Sequence, residues 1–583
     1  MVEPAERQEL LELNLRAGQE AREFIAFRAA WDYFTTALKL LPEDSWRSRY
    51  AVALSLYESL VEAAYLNGDF EAMDEFAGTA IKEAHGPLDL IRIFEVRSQA
   101  LAAQTKLVES VRAGLQILES LGVSFPERPA ENDINAALRE TQSTYQGKDV
   151  EELADLRLMT DPHQLAIMRI LASISSAAFE SSPNLFYLFA LKQVALSVQY
   201  GNTAASALGY AAYAYLLCGK MADIELGCKF GQLALDLVQR MNAKEWHCRV
   251  HSFVHFLVLP WKKPIKDLLT PFRSAYHSGL EVGDFQNAAS SGFHYCSVAY
   301  FAGIEKELSE IQQEAASLRE SARQTKQMQA VYRYQILQQA IHDLRESRAS
   351  SKYLKGEFYD EEVMLPLHLK ANDRPCIFMV YFHRLLLNYL LGEYEQAIED
   401  ASKLLQFTGR GRRFLYDPIF YMYDSLTRLA INRKNHQAEA DDALRKIEAN
   451  QEIVKTWAQY SPASCLHKYQ LVEAERYRNL GDKVRAIEEY DLAIEGAKEN
   501  GCLREEALAN ELAAEFFLDM GQEKVAQGYM EEARDCYARW GANAKVARFF
   551  SSFPVRSFSV AQYHDPPFYP DRFSLGYLLV NHA

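Results

Sequence analysis

The sequence predicts an all-α fold, an α-solenoid of about a dozen helical hairpins stacked into a superhelix. Composition is the first reason, because only 27 Gly and 18 Pro interrupt 583 residues that are 49% hydrophobic, which favours long helices. The second reason is that turn signals recur at intervals of about forty residues. The third is a pair of glycines, Gly481 and Gly521, each of which separates two apolar-periodic runs and can adopt a turn conformation that a Cβ resists.

The two clearest hairpins occupy residues 466–541. The second helix of each repeats a small, a large and a small residue on one face, at Ala486, Tyr490 and Ala493 and again at Ala526, Met530 and Ala533. This spacing is typical of tetratricopeptide (TPR) repeats, in which the small residues let two helix backbones approach. A hairpin of this kind cannot bury its own apolar face, so TPR-like neighbours are expected on both sides.

Further hairpins are expected along the rest of the chain. The first two show the same offsets at Ala30, Phe34, Ala37 and Pro42, and at Met73, Ala77 and Ala80 after a turn at residues 66–70. Later turns are expected near Gln104, Gly147, Ser182-Pro183, Gly219, residues 260–263, Gly303, the irregular stretch 347–356, Gly392 and Lys434-Asn435. Each hairpin is expected to contact only its nearest neighbours.

Proline-rich and weakly periodic stretches divide this array. The predicted segments are N-terminal TPR-like hairpins (1–121), a central TPR-like solenoid (122–346), an irregular connection (347–374), C-terminal TPR-like repeats (375–550) and an aromatic, Pro-rich tail (551–583). Bends are expected at residues 122–134 and at the irregular connection. The tail either packs on the final repeat or is a truncation remnant.

Charge and cysteine content limit the classes of function. A net charge of −16 and a pI near 5.5 argue against nucleic-acid binding, which needs Lys and Arg to neutralise phosphates. The eight cysteines form no C-x-x-C pair, as expected of buried thiols in a reducing compartment. The charged N-terminus is unlike a signal peptide, and no stretch of about 18 apolar residues follows. A cytoplasmic protein without membrane insertion is therefore expected.

The motifs of common catalytic classes are missing from the sequence. It contains no G-x-x-x-x-G-K-[ST] phosphate loop, no H-R-D or D-F-G kinase motif and no G-x-S-x-G elbow. His342-Asp343-Leu344-Arg345 resembles the phosphoacceptor box of histidine kinases, but Glu346 and Ser347 replace its Thr-Pro and no ATP-binding motifs follow. The chain is therefore expected not to be an enzyme and to need no cofactor, although a hidden Ser-His-Asp triad is not excluded.

Two other clusters have a functional and an ordinary interpretation. His247, His251 and His255 lie at i, i+4 and i+8, where neighbouring histidines can share zinc if a further ligand such as His294 or Cys296 joins them. Ordinary core or surface histidines are the alternative. The basic run at residues 409–413 could hold a phosphate or carboxylate, or be a solvated loop. The sequence therefore predicts no metal site.

The candidate partner-binding residues are Lys468, Leu471, Glu475 and Arg478, which repeat offset places on the concave face of the solenoid. Their mixture of charged and apolar groups could hold a peptide in the concave groove. Charge reversal at Lys468 and Arg478 is expected to weaken such binding without unfolding the chain. The alternative is that these are ordinary solvent-facing residues.

Several strings spread over residues 8–550 carry a family resemblance. They are LLELNLRAGQEA (10–21), LLPEDSWRSRYAVALSLYESLVEAAYLNGDFEAMDE (40–75), MTDPHQLAIMRIL (159–171), ADIELGCKFGQLAL (222–235), LHKYQLVEAE (466–475) and EEALANELAAEFFLDMGQEKVAQGYMEEARDCYARWGANAKV (505–546). The chain resembles the TPR-like middle region of large signalling proteins that join a serine/threonine kinase, an AAA or STAND-type ATPase, a GAF domain and a sensor histidine kinase. Those catalytic and sensor domains are not found in this sequence.

The resemblance implies a non-catalytic protein-interaction and signal-coupling scaffold, a fragment or relative of such a protein. The alternative that it implies is the ligand-sensing regulatory solenoid of a STAND-type ATPase, which would bind a small-molecule inducer in its concave groove.

Overall fold

The computed structural model describes residues 4–303, 306–346, 353–407, 415–435 and 440–552. Within these ranges the chain forms 27 α-helices and no strand, and only isolated bridges join Leu158 to Asn202 and Lys355 to Asp360. The predicted all-α class is therefore confirmed.

The helices follow one another with short turns. The first thirteen are α1 Pro4–Glu23, α2 Phe27–Leu40, α3 Ser45–Ser48, α4 Tyr50–Leu66, α5 Phe70–Glu83, α6 Ile91–Ala103, α7 Leu107–Ser120, α8 Glu131–Thr144, α9 Pro162–Ser181, α10 Pro183–Tyr200, α11 Ala204–Leu216, α12 Ile224–Arg240 and α13 Lys244–Leu257. The others are α14 Leu269–Val282, α15 Phe285–Ala302, α16 Leu308–Gln324, α17 Met328–Arg345, α18 Glu361–Ala371, α19 Arg374–Leu390, α20 Tyr394–Phe407, α21 Asp417–Asn435, α22 Ala440–Tyr460, α23 Pro462–Leu480, α24 Lys483–Glu499, α25 Leu503–Asp519, α26 Glu523–Trp540 and α27 Asn543–Ser552. Short 3-10 turns lie at Pro87–Leu90, Val150–Asp155, Leu259–Trp261 and Ile265–Leu268, and a π turn at Leu217–Met221.

Two of the predicted hairpins show why the sequence forms them. Gly481 has a φ of 76° and ends α23, and the Asp482 carboxylate then accepts a hydrogen bond from the backbone N–H of Arg485 to cap α24. The faces predicted from small and large residues are buried in both α24 and α26. These two helices each bury one face, as the pattern predicts for the outer helix of a pair.

Alternate helices form a row that is covered on nearly all sides. We call this the inner row; its members pack in the order α4, α6, α9, α11, α13, α15, α17, α19, α21, α23 and α25. In α11, α15, α19 and α25 most side chains are buried, with no solvent-facing stripe. A helix that is buried all round must contact neighbours on every side.

The C-terminal helices also contact helices far back in the chain. Helix α25 packs on α15, and α27 packs on α17. The Lys545 ammonium of α27 donates hydrogen bonds to the Leu390 carbonyl (2.5 Å) and to Glu511 (2.6 Å). Trp457 meets Trp261 edge to face with ring centroids 5.8 Å apart. The expectation of contacts between nearest neighbours alone is therefore wrong, because repeat patterns do not encode the rotation that brings distant helices together.

The predicted irregular connection contains regular structure. Residues 347–352 lie outside the described ranges, but the rest of the segment includes helix α18, which Asp360 caps by accepting a hydrogen bond from the Glu362 N–H. The buried Glu361 carboxylate pairs with Arg384 of α19 and holds α18 in place. This helix was missed because Pro366 inside it weakens the helical signal.

The predicted segment boundaries stay predictions. The two largest cores do not divide the chain at one point, since one includes residues from 91 to 261 together with Val454, Trp457, Ala458 and Cys465, and the other includes residues between 268 and 542. The tail from residue 553 lies outside the described residues.

The predicted burial of the cysteine thiols agrees with the structure, in which all eight are buried and none forms a disulfide, whereas the reducing compartment stays a prediction. None of the described helices combines the length and the apolar composition that crossing a bilayer needs.

Candidate functional site

A cavity of about 140 Å³ lies against the inner row, and we call it the inner cavity. Its walls come mainly from α9, α13, α15, α17 and α19, helices that span more than two hundred positions of the chain. The inner row therefore positions its side chains: each helix is held on several sides, and one face is left toward the cavity.

One wall of the inner cavity is aromatic. Phe256 of α13 stacks on His294 of α15 with centroids 3.8 Å apart, and Tyr416 meets the Phe256 ring at 5.8 Å. Phe179 of α9 approaches Phe253 of α13 at 5.9 Å. Such an edge-to-face and stacked wall offers apolar surface to a flat or aliphatic group.

The lining of the inner cavity also includes polar groups. A terminal N–H group of Arg333 (Nη2) donates to Ser290 Oγ at 3.2 Å, and the guanidinium lies 4.9 Å from the Phe293 ring centroid. Among the described residues, no carboxylate lies within 4.0 Å of Arg333. Gln286 donates to Ser176 Oγ at 3.4 Å across the gap between α15 and α9.

A second, charged cavity of about 100 Å³ adjoins the first, and Arg249 lines both. Arg92 binds Glu62 at 2.5 Å, and Arg169 makes a two-pronged pair with Glu95 at 2.6 and 2.8 Å. Arg249 differs, since its nearest carboxylate among the described residues, that of Asp284, is 3.9 Å away. The charged side chains of this second cavity are thus largely paired with one another.

The four predicted partner-binding residues are not on an open surface. Lys468, Leu471 and Glu475 are at most 6% exposed, and the Arg478 side chain is 7% exposed. These side chains therefore neither face an open groove nor face solvent, because neighbouring helices cover this part of the inner row. Partner binding at these residues stays untested, but their side chains already bind each other and the core.

Glu475 is the centre of a buried ion cluster. Its carboxylate pairs with Arg433 at 2.7 Å and Arg478 at 3.0 Å, and accepts a hydrogen bond from the Tyr490 hydroxyl. Burial alone would raise the pKa of Glu475, yet the two guanidinium charges hold it below its ordinary value. Lys468 lies in a second cluster, where it donates to the Ser464 carbonyl at 2.8 Å and lies 3.4 Å from Glu505.

The three predicted histidines form a stacked column on α13. The ring centroids of His247 and His251 are 3.9 Å apart, and those of His251 and His255 are 5.5 Å apart. Burial lowers the pKa of His251 to about 3 and that of His255 to about 4. His294, one of the two expected further ligands, instead stacks on Phe256 and lines the inner cavity.

Two other groups could hold a metal ion by distance, and neither was predicted. In the first, His368 bonds Asp373 at 3.1 Å, and Asp373 also accepts from the Cys376 N–H to cap α19. The sequence feature that could have revealed this group is its spacing, H-x4-D-x2-C. The second is His467, Cys502 and Glu505, where the neighbouring cations Lys468 and Arg504 oppose a metal ion. Some of these ligand atoms are already bonded, although His368 Nε2 and one Glu505 oxygen have no hydrogen-bond partner among the described residues.

The structure gives less information on the remaining candidates from the sequence. His342 is half-buried on α17, and its ring meets Phe358 at 5.7 Å. The basic run at 409–413 lies outside the described residues. Arg249 and Arg333, which line the inner cavity, were not predicted as site residues. The sequence feature that could have revealed them is an arginine within a mostly apolar helix face, as in the Val331–Tyr334 stretch.

Comparison with known proteins gives one distant signalling relative. No protein-family model matches the chain. A hybrid signal transduction histidine kinase G of Dictyostelium discoideum is 18% identical over 312 residues, which is 48% of this chain and 9% of that protein. The chain thus covers less than a tenth of its relative's length. This similarity supports a relationship to signal-transduction proteins.

Proposed function

We propose that the chain is a TPR-like solenoid and the non-catalytic, ligand-sensing module of a signalling protein. The inner cavity would bind a small effector, and its occupancy would be passed to attached or bound signalling partners. The observation that carries this proposal is the inner cavity itself, which brings together side chains of five inner-row helices from α9 to α19. The distant similarity to a histidine kinase gives the context of signal transduction.

The geometry favours sensing over a peptide scaffold at the residues predicted from the sequence. Those four side chains are buried in ion clusters, whereas the inner cavity offers polar donors and an aromatic wall to an occupant. Pockets of small molecules are typically concave and mostly apolar, with a few polar groups that fix orientation.

An occupant could act on the fold because it would contact several helices at once. A ligand shifts an equilibrium only by its difference in affinity for the two states. A group held between α9, α13 and α15 would favour the arrangement in which these helices are close together. The expected output is therefore a change in the packing of the inner row.

A cavity-filling variant tests the proposal. Ser176 is exposed, lines the inner cavity and lies on α9, so that Ser176→Trp would fill the space at small cost to the fold. We expect a small-molecule library screened by thermal shift to give ligands that protect α9, α13 and α15 from hydrogen exchange, and Ser176→Trp to abolish both effects.

Ser402→Trp is the matched control, because Ser402 is exposed on α20 and does not line the inner cavity. It should bind the same ligands as the unmodified chain. Ligands that bind Ser176→Trp undiminished, or a screen without any ligand, would contradict the proposal.

A further inference from the structure

We infer that the inner cavity takes a small organic anion, a carboxylate or phosphate on an apolar body about the size of one aromatic ring. This inference rests on the proposed ligand-sensing function and names the chemical class of its ligand.

The arginines of the two adjoining cavities differ in what they bind. Arg92 and Arg169 are tightly paired with carboxylates at 2.5 to 2.6 Å. Arg333 has only the Ser290 hydroxyl as a hydrogen-bond acceptor among the described residues, and Arg249 has no carboxylate closer than 3.9 Å. A guanidinium has five N–H donors in a fork that matches a carboxylate or phosphate. The N–H donors of Arg333 and Arg249 are therefore more available to a ligand than those of Arg92 and Arg169, which already bind carboxylates.

Both of these guanidinium groups are held in place by aromatic rings. Arg333 lies 4.9 Å from the Phe293 centroid, and Arg249 lies 5.3 Å from that of Trp246. Stacking on a ring orients the planar group without occupying its N–H donors. Arg333 Nε is buried and has no hydrogen-bond partner among the described residues. An unsatisfied buried donor of this kind calls for an explanation, and a bound acceptor would relieve the shortage of partners around this guanidinium.

Guanidinium groups outnumber carboxylates in the described part of the lining. Among the described residues, two guanidiniums, Arg249 and Arg333, and one carboxylate, Glu180, line the inner cavity, although the whole chain carries a net charge of −16. Glu180 has an interaction partner of its own. The lining therefore suits an anionic head better than a cationic one.

Size limits the rest of the ligand. A cavity of about 150 Å³ lined by apolar side chains can hold benzene, and the inner cavity measures about 140 Å³. The rings of Phe253, Phe256 and Phe293 lie along this space and would pack on such a body. Neutral amides, Gln286 and Gln329, could bind a hydroxyl group on it.

Three isosteric probes separate the classes of ligand. Phenylacetate carries the anion, phenylacetamide is its neutral analogue and phenethylamine its cationic one; phenyl phosphate distinguishes a phosphate from a carboxylate head. We expect titrations followed by ligand-observed NMR to show the tighter of the two anions binding at least about tenfold more tightly than the amide, the usual range for a charged hydrogen bond. The amine should bind most weakly.

Two arginine variants test which side chains bind the anion. Arg333→Gln and Arg249→Gln should each weaken anion binding about tenfold and leave amide binding nearly unchanged. Arg323→Gln is the matched control, because Arg323 is exposed on α16 and pairs with Glu320. Circular dichroism would check the fold of each variant, and Arg249→Gln keeps the test valid if Arg333→Gln does not fold.

The outcomes separate the ligand class from the sensing function. Equal binding of amide and anion, preference for the amine, or anion binding insensitive to both arginine variants would overturn the anionic class. If Ser176→Trp still abolished such binding, the sensing function would stand. Failure of all four probes while other library ligands bind the inner cavity would overturn the class alone.

Discussion

Arg478 shows how the tertiary structure changes the meaning of a residue. The sequence pattern placed it on a peptide-binding surface, but its guanidinium lies between Glu475 at 3.0 Å and Asp519 at 2.5 Å. Breaking a buried ion pair leaves an uncompensated charge, which typically costs about 3 to 5 kcal/mol. We therefore expect reversal of the Arg478 charge to destabilise the fold, contrary to the expectation from the sequence.

Arg478→Glu should destabilise the chain by at least about 3 kcal/mol, because the new carboxylate would face the buried Glu475. Urea denaturation followed by circular dichroism would measure the change. Arg485→Glu on α24 is the control, since that side chain is 63% exposed and should change stability by less than about 0.5 kcal/mol. Equal effects of the two variants would contradict the buried cluster.

Buried histidines give the chain a dependence on pH. His383 is fully buried and stacks on Phe301 with centroids 5.9 Å apart. Burial, aided by the nearby Arg504 charge, lowers the pKa of His383 to about 3. The unfolded chain therefore takes up a proton on this histidine below about pH 6.5 while the folded chain does not, so stability falls as the pH falls from about 6.5 toward 3.

His383→Phe should remove this contribution. The loss of stability between pH 7 and pH 5 should be smaller by about 2 kcal/mol in the variant, the free energy of protonating one unfolded histidine at pH 5. Urea titrations of both proteins at the two pH values would measure the difference. Identical pH dependence would mean that His383 titrates normally in the folded chain.

At the scale of the element, the outer helix of each hairpin packs through small residues. Ala486 on α24 and Ala526 on α26 have no exposed surface, and Tyr490 and Met530 fill the space one turn further along the same faces. The sequence pattern was sufficient here, because an outer helix buries only one face and its period is visible in the order of residues.

Ala486→Leu and Ala526→Leu should each cost about 1 to 3 kcal/mol by overpacking the contact between helices. Ala538→Leu is the control, since Ala538 is exposed on the same helix as Ala526. Melting curves would show the difference. A melting temperature for Ala526→Leu as high as that of Ala538→Leu would mean that α26 is rotated from the position described.

At the scale of the whole molecule, the C-terminal helices close on earlier ones. Lys545 on α27 joins the Leu390 carbonyl of α19 and Glu511 of α25 through one ammonium group. These contacts couple the end of the chain to the middle of the inner row. A substitution in the last helix should therefore also destabilise helices that lie far from it in sequence.

Lys545→Met should keep the apolar stem but leave Glu511 buried without this cation, at a cost of about 3 kcal/mol or more. We expect hydrogen exchange to increase at the C-terminal end of α19 as well as in α27. Lys524→Met, at an exposed position of α26, is the control. An increase confined to α27 would contradict the coupling.

The sequence by itself determined the all-α class, the hairpin turns at Gly481 and Gly521 and the buried faces of α24 and α26. These features depend on local backbone preference and on a period of 3.6 residues, both of which neighbouring residues encode. Only the tertiary structure decided that Lys468 and Arg478 are buried, that α27 returns to α17, and that Arg249 and Arg333 line one cavity. The reason is that helices buried on all sides have no sequence period to show which neighbour each face meets, and small rotations between hairpins add up over the whole chain.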